Sequence, residues 1–230
     1  MNNSPLRGGR LAQASALFAA PLLWLAAEAV SPKLAADPSE QLAIIGRNPE
    51  RWYAYTLLLI LGTMAFVPAV LALMRLAAGS PRLAAIGGTV LGLGTLVAVG
   101  DAMSQLMVWQ MVGQGADRRQ MVALIDRFDN ASGSAVVFAV GGLGFLLGAI
   151  LLSIGLVRTR RTPAWATLLF AVGIVVQLVG FTASSVAIVL VSSVILLAGM
   201  SRQAMSVLAP TRTPEPGRAR IDHRGASQLV

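Results

Sequence analysis

The sequence predicts an all-α fold: a polytopic membrane helix bundle of six transmembrane helices, with two short extracytoplasmic helices. Three observations carry this. Of the 230 residues 56% are hydrophobic and only 12% charged, whereas about a quarter of a soluble domain is charged. Apolar runs long enough for a hydrocarbon core that needs roughly 20 residues recur along the chain. The arginines fall mostly in short connections between those runs, as expected of residues that orient helices.

Residues 1–10 form a basic lead with Arg7 and Arg10, followed by a first span at 11–30. Pro21 is expected to kink it, and Ala12, Ser15, Ala16 and Ala19 offer a small-residue packing face. A basic start, an apolar stretch and Ala27-Glu28-Ala29 also resemble a secretory signal with its cleavage site. The run is long for a signal core and contains Pro21 and Trp24, which favours a retained span. The loop that follows holds a helix start at Asp37-Pro38-Ser39-Glu40, a capping side chain with proline at the first helical position, ending at Gly46. Asn48-Pro49-Glu50 repeats that logic and opens the second span, 49–74. Trp52, Tyr53 and Tyr55 there read as an aromatic belt at headgroup level.

The third span, 83–112, is the centre of the architecture, uncharged except for Asp101. At 100° per residue Gly87 and Gly94 share a stripe with Asp101 and Gln105, while Gly88 and Gly92 lie on the opposite side. Two glycine-bearing faces imply two close neighbours, because helices in lipid are held by close backbone approach more than by hydrophobic exclusion. At about 1.5 Å per residue Asp101 lies roughly 27 Å from Leu83, near the far interface.

Asp117 with Gln120 caps a short amphipathic helix, whose side of Met121, Val122, Leu124, Ile125 and Phe128 suits the membrane surface or the bundle mouth. The fourth span, 134–157, carries Gly141, Gly148 and Gly155 at seven-residue intervals, plus Gly144, a second thin face. After the basic turn Arg158 to Pro163, apolar sequence runs to Ser201. As one helix it would measure about 57 Å, nearly twice a bilayer core. It must therefore form two spans, 164–180 and 185–201, with a break at Gly180 to Ser185. The span domain is thus 11–201. Residues 202–230, rich in Pro, Arg, Gly and Ser, read as a disordered cytoplasmic tail.

Basic side chains orient the bundle. Arg7, Arg10, Arg75, Arg82, Arg158, Arg160, Arg161 and five tail arginines share one side, against Lys33, Arg47, Arg51, Arg118, Arg119 and Arg127 on the other. The bias places both termini in the cytoplasm. Heavy use of alanine, glycine and arginine matches a GC-rich bacterial genome, hence a bacterial cytoplasmic membrane. The net charge of +8 sits in loops that orient helices, so no nucleic-acid partner is expected. The chain lacks cysteine, which removes disulfides and thiol chemistry.

Glu28, Arg51, Asp101, Gln105 and Gln177 form the candidate polar site, near the outer interface. A carboxylate at membrane depth costs roughly 2.5–3.5 kcal/mol at a helix centre, so Asp101 is expected to face the bundle. It either serves an outward pocket for a cation or polar headgroup, or pairs with Arg51 or a loop backbone. The one histidine, His223, lies in the tail, so no histidine metal site or general base is expected in the spans. Ser153, Ser184 and Ser193 have no activating base there. No enzyme activity, cofactor or metal is expected. A scaffold, sensor or assembly factor is one reading. The other is the membrane subunit of an ATP-driven exporter or another small transporter, whose partner is an ATPase or another membrane protein. Both have the lipid bilayer as their setting.

The Pro21-kinked first span, Asp37-Pro38-x-Glu40-Gln41-Leu42, Asn48-Pro49-Glu50-Arg51-Trp52-Tyr53 and the segment from Ala116 to Asp126 resemble uncharacterised families of small six-span bacterial integral membrane proteins. The resemblance covers most of the chain and implies no activity.

Overall fold

A computed structural model describes the backbone of residues 5–113 and 115–209, with side chains from Gly8 onward. Eight helices account for nearly all of it: α1 (Pro5–Val30), α2 (Pro38–Arg47), α3 (Pro49–Leu76), α4 (Pro81–Gln110), α5 (Arg118–Asp129), α6 (Ser132–Thr159), α7 (Ala164–Thr182) and α8 (Val186–Leu208). Six of them, all but α2 and α5, are long and apolar enough to cross a membrane.

Local chemistry sets the boundaries. The Asp37 carboxylate accepts from the Glu40 amide at 2.7 Å, and Pro38 occupies the first turn of α2. Asp117 caps α5 by accepting from Arg119 and Gln120, satisfying amides that a helix start leaves orphaned. The break between α7 and α8 is a turn in which Ser185 N–H donates to Gly180 O and Ser184 N–H to Phe181 O. Ser184 adopts φ 49° there, a left-handed position usually given to glycine.

Some expectations are corrected. Asn48 does not cap α3 with its side chain; its Nδ2 donates backward to Ile44 O at 3.2 Å. The last helix runs to Leu208, so residues 202–208 are helix, continuing the inward-facing stripe through Gln203, Ala204 and Val207. The rest of the proposed disordered tail, with His223, lies outside the described residues. Ala12 and Ser15 are exposed; α1 packs instead through Ala14, Ala16, Leu17 and Ala20.

The six long helices close into a ring in the order α1, α3, α4, α6, α7, α8 and back to α1, with α6 against α7 the thinnest seam. Glycines set the tightest approaches. A Cβ on Gly87 would meet Leu152 N at 2.7 Å, one on Gly94 would meet Phe145 N at 2.5 Å, one on Gly148 would strike the Leu91 backbone and one on Gly141 the Val97 side chain. Numbers rising along α4 pair with numbers falling along α6, so the two helices run antiparallel with backbones in contact. Gly88 turns to the other neighbour, α3, where a Cβ would collide with Met74. The two faces of α4 thus meet two partners. Gly92 contradicts the expected pairing with Gly88: nothing lies within 4 Å of its Cβ position. Gly144 and Gly155 meet neighbours only at ordinary van der Waals range or slightly inside it, 3.6 and 3.3 Å.

In the half of the ring remote from α2 and α5, Leu17, Leu73, Leu152, Leu156, Leu196 and Met200 are fully buried. Phe66 binds this core together, 4.9 Å from Trp24, 5.5 Å from Phe145 and 6.5 Å from Phe170 between ring centroids. In the other half, toward α2 and α5, the ring is hollow.

Candidate functional site

The hollow begins where helix spacing outruns side-chain volume. Its floor is formed by Thr63, Gly94 and Ile174 together with Trp24 and Phe145 of the aromatic cluster around Phe66. Trp24 is pinned there by Nε1 donating to Thr63 Oγ1 at 3.1 Å, and that hydroxyl donates on to Leu59 O at 2.7 Å. The walls are mostly apolar, and the volume is about 310 Å³, within the range of small-molecule sites. Polar groups enter nearer the mouth: Asp101 and Gln105 from α4, Tyr55 from α3 and Gln177 from α7.

A second cavity of about 470 Å³ adjoins the first, with Asp101, Gln105 and Phe138 lining both. Its roof is α5, which lays Leu124, Ile125, Phe128 and Asp129 over the bundle mouth. The amphipathic helix therefore covers the mouth. The Phe128 ring meets Phe138 edge to face at 6.1 Å, and Arg118 ties α5 to α2 by donating to Ser39 O at 2.8 Å. No α5 side chain is fully buried, so the roof is lightly held.

Of the five candidate polar residues, Asp101, Gln105 and Gln177 share the inner cavity. Asp101 lines both cavities and is exposed, so its carboxylate is open to them rather than sealed in packing. Arg51 does not join it. The guanidinium donates to Val30 O at 3.3 Å and Ser31 O at 3.4 Å, latching the carbonyl end of α1, where a cation is favoured by the helix dipole. Asp101 is therefore not paired with Arg51. Among the described residues the ion pair present is the exposed Lys33–Glu40 at 2.9 Å. Glu28 lies outside the cavity lining, 2% exposed, and its Oε2 has no hydrogen-bond partner. Tyr55 stands within electrostatic reach of both Glu28 and Asp101.

Two lining residues differ from the expectation of an aromatic belt. Trp52 and Tyr55 are not belt residues: they are 2% and 3% exposed and form the cavity wall. Trp52 Nε1 donates to Gln105 O at 3.4 Å, joining α3 to the polar stretch of α4. Of the three aromatics only Tyr53 faces outward, its ring tilted 39° against Trp109 at 4.8 Å. The spacing held the signal, since Trp52, Tyr55, Thr56, Leu59 and Thr63 follow a three-four period that a belt does not need. Gln203 also escaped notice. It is fully buried in α8 with both amide atoms unpartnered, in the part of the helix that lies beyond the predicted span end at Ser201.

The electrostatics of the cavities run against those of the chain. Net charge is +8, yet among the described residues none that lines either cavity is basic, while Asp101 and Asp129 both do. Asp129 ends α5 and its carboxyl is held above the ordinary range, first by partial burial and then by Asp126. Among the described residues no group of three or more His, Cys, Asp or Glu could hold a metal ion. Comparison with family models, with curated proteins and with solved structures finds no match for this chain.

Proposed function

We propose that this multi-pass membrane protein is a non-catalytic sensor or scaffold that takes a small ligand into its half-ring cavity. Its setting is a bacterial cytoplasmic membrane, with both termini cytoplasmic and α2 and α5 outside. One observation carries the reading: the cavity is blind. Its mouth lies under α5, and its inner end is stopped by Phe66 with Trp24, Phe145 and Phe170 packed around it. A conducting path needs a connected polar route through the whole thickness, whereas below this aromatic stop leucine, alanine and methionine predominate and the buried Ser153, Thr167, Ser193 and Gln203 line neither cavity. Ligand occupancy at one end of such a ring can alter how the lightly held α5 sits, which is what a sensor requires.

The arginine bias supports the orientation. Reporter fusions after Leu208 and within the α3–α4 and α4–α5 connections test it, with the first two expected cytoplasmic and the third extracytoplasmic. The functional reading is tested by pull-down from native membranes, with ATP hydrolysis measured on the eluate, and by solute flux in liposomes holding the purified chain. Neither ATPase nor flux is expected. A stoichiometric ATPase partner would replace the proposal with the exporter subunit, and flux by the chain alone would replace it with a transporter.

A further inference from the structure

We infer that the ligand is a compact hydrophobic amine, bound as its ammonium ion with N–H groups directed at Asp101 and the Gln177 amide; this rests on the cavity being a ligand site. Three independent observations converge. The first is the wall, where Trp24, Trp52, Tyr55, Phe138 and Phe145 supply apolar area and the aromatic faces that attract a cation. The second is charge. A chain of net +8 lines two adjoining cavities with Asp101 and Asp129 and, among the described residues, with no basic side chain. An anion or phosphate headgroup would meet carboxylates without a counter-cation, whereas an ammonium supplies the missing one.

The third observation is a buried acceptor without a donor. Gln177 is 8% exposed and lines the cavity, and its Oε1 has no hydrogen-bond partner. Buried amide oxygens are ordinarily satisfied. A partial rotation of the amide, short of the half-turn that would bury Nε2 without an acceptor, opens this oxygen to the cavity, where an N–H donor completes it. A quaternary ammonium has no such donor, so a primary or secondary amine is selected. The inner volume of about 310 Å³ admits a body of roughly drug-fragment size rather than a two-chain lipid.

The test uses the full chain in nanodiscs with three probes of one shape: 1-aminoadamantane, 1-hydroxyadamantane and its trimethylammonium analogue. Binding is followed by the change in tryptophan emission, to which Trp24 and Trp52 of the cavity wall contribute, and by thermal melting. The amine is expected to bind at least about tenfold more tightly than the alcohol, with the quaternary analogue in between. Asp101→Asn should remove the amine's advantage and leave alcohol binding unchanged. Gln177→Leu should bring amine and quaternary analogue together. Gly142→Leu, placed where nothing lies within 4 Å of the Cβ position, should obstruct all three and keep the test open if Asp101→Asn fails to fold. Equal binding of amine and alcohol, insensitive to Asp101, would overturn the amine assignment while leaving a ligand site. Absence of binding by every probe, with melting unchanged, would overturn both.

Discussion

Replacing Gly87 and Gly92 by alanine, one at a time, should move stability in opposite directions although the sites are five residues apart on one helix. At Gly87 the added Cβ would sit 2.7 Å from Leu152 N and 3.1 Å from Leu151 C. Ordinary contact needs about 3.5–4.0 Å, so the overlap is about 1 Å, and the atoms met are backbone. No rotamer change relieves it; α4 and α6 must separate along their best-packed seam. Overpacking of this kind costs about 1–3 kcal/mol, and the lost close approach affects the force that holds membrane helices together. At Gly92 nothing lies within 4 Å, so alanine meets no clash and improves helix propensity by about 0.5–1 kcal/mol. Thermal melting of the purified chain in one detergent reads both variants. Equal shifts, or a Gly87→Ala variant as stable as the parent, would refute the claim that backbone contact through glycine sets the α4–α6 spacing.

Three further outcomes follow from single features. Ser184→Gly should raise stability by about 0.5–1 kcal/mol, since the left-handed turn at φ 49° strains a residue with a Cβ; an unchanged melting temperature would deny that strain. Trp24→Phe removes the donor to Thr63 Oγ1 and should cost about 0.5–1.5 kcal/mol, measured by chemical denaturation in micelles. Asp129, its carboxyl raised by burial and by Asp126, binds its proton more tightly in the fold than in the unfolded chain. Its contribution therefore favours the fold at low pH and declines as pH rises above the ordinary aspartate value of 3.8. Asp129→Asn should flatten that dependence in hydrogen exchange of the last turn of α5, by less than about 0.5 kcal/mol because the site is exposed. A steeper dependence in the variant would contradict the assignment.

The sequence by itself determined the helix count, the two short capped helices and the break at Gly180 to Ser185. Each rests on local physics: the length of an apolar run against a bilayer, an aspartate before a proline or an arginine, an apolar stretch too long for one crossing. It also marked the glycine faces of α4, because 3.6 residues per turn is enough to sort Gly87 and Gly94 from Gly88. Only the tertiary structure decided which apolar residues face neighbours and which face lipid. In water a helix's buried stripe stands out against a polar face. In lipid both faces are apolar, and Trp52, Tyr55 and Tyr53 read alike until α1 and α4 pack against two of them. The closure of the ring by α8 against α1, the hollow above Phe66 and the separation of Arg51 from Asp101 depend on contacts between residues far apart in the chain. Periodicity along one helix carries no information about which distant helix lies opposite.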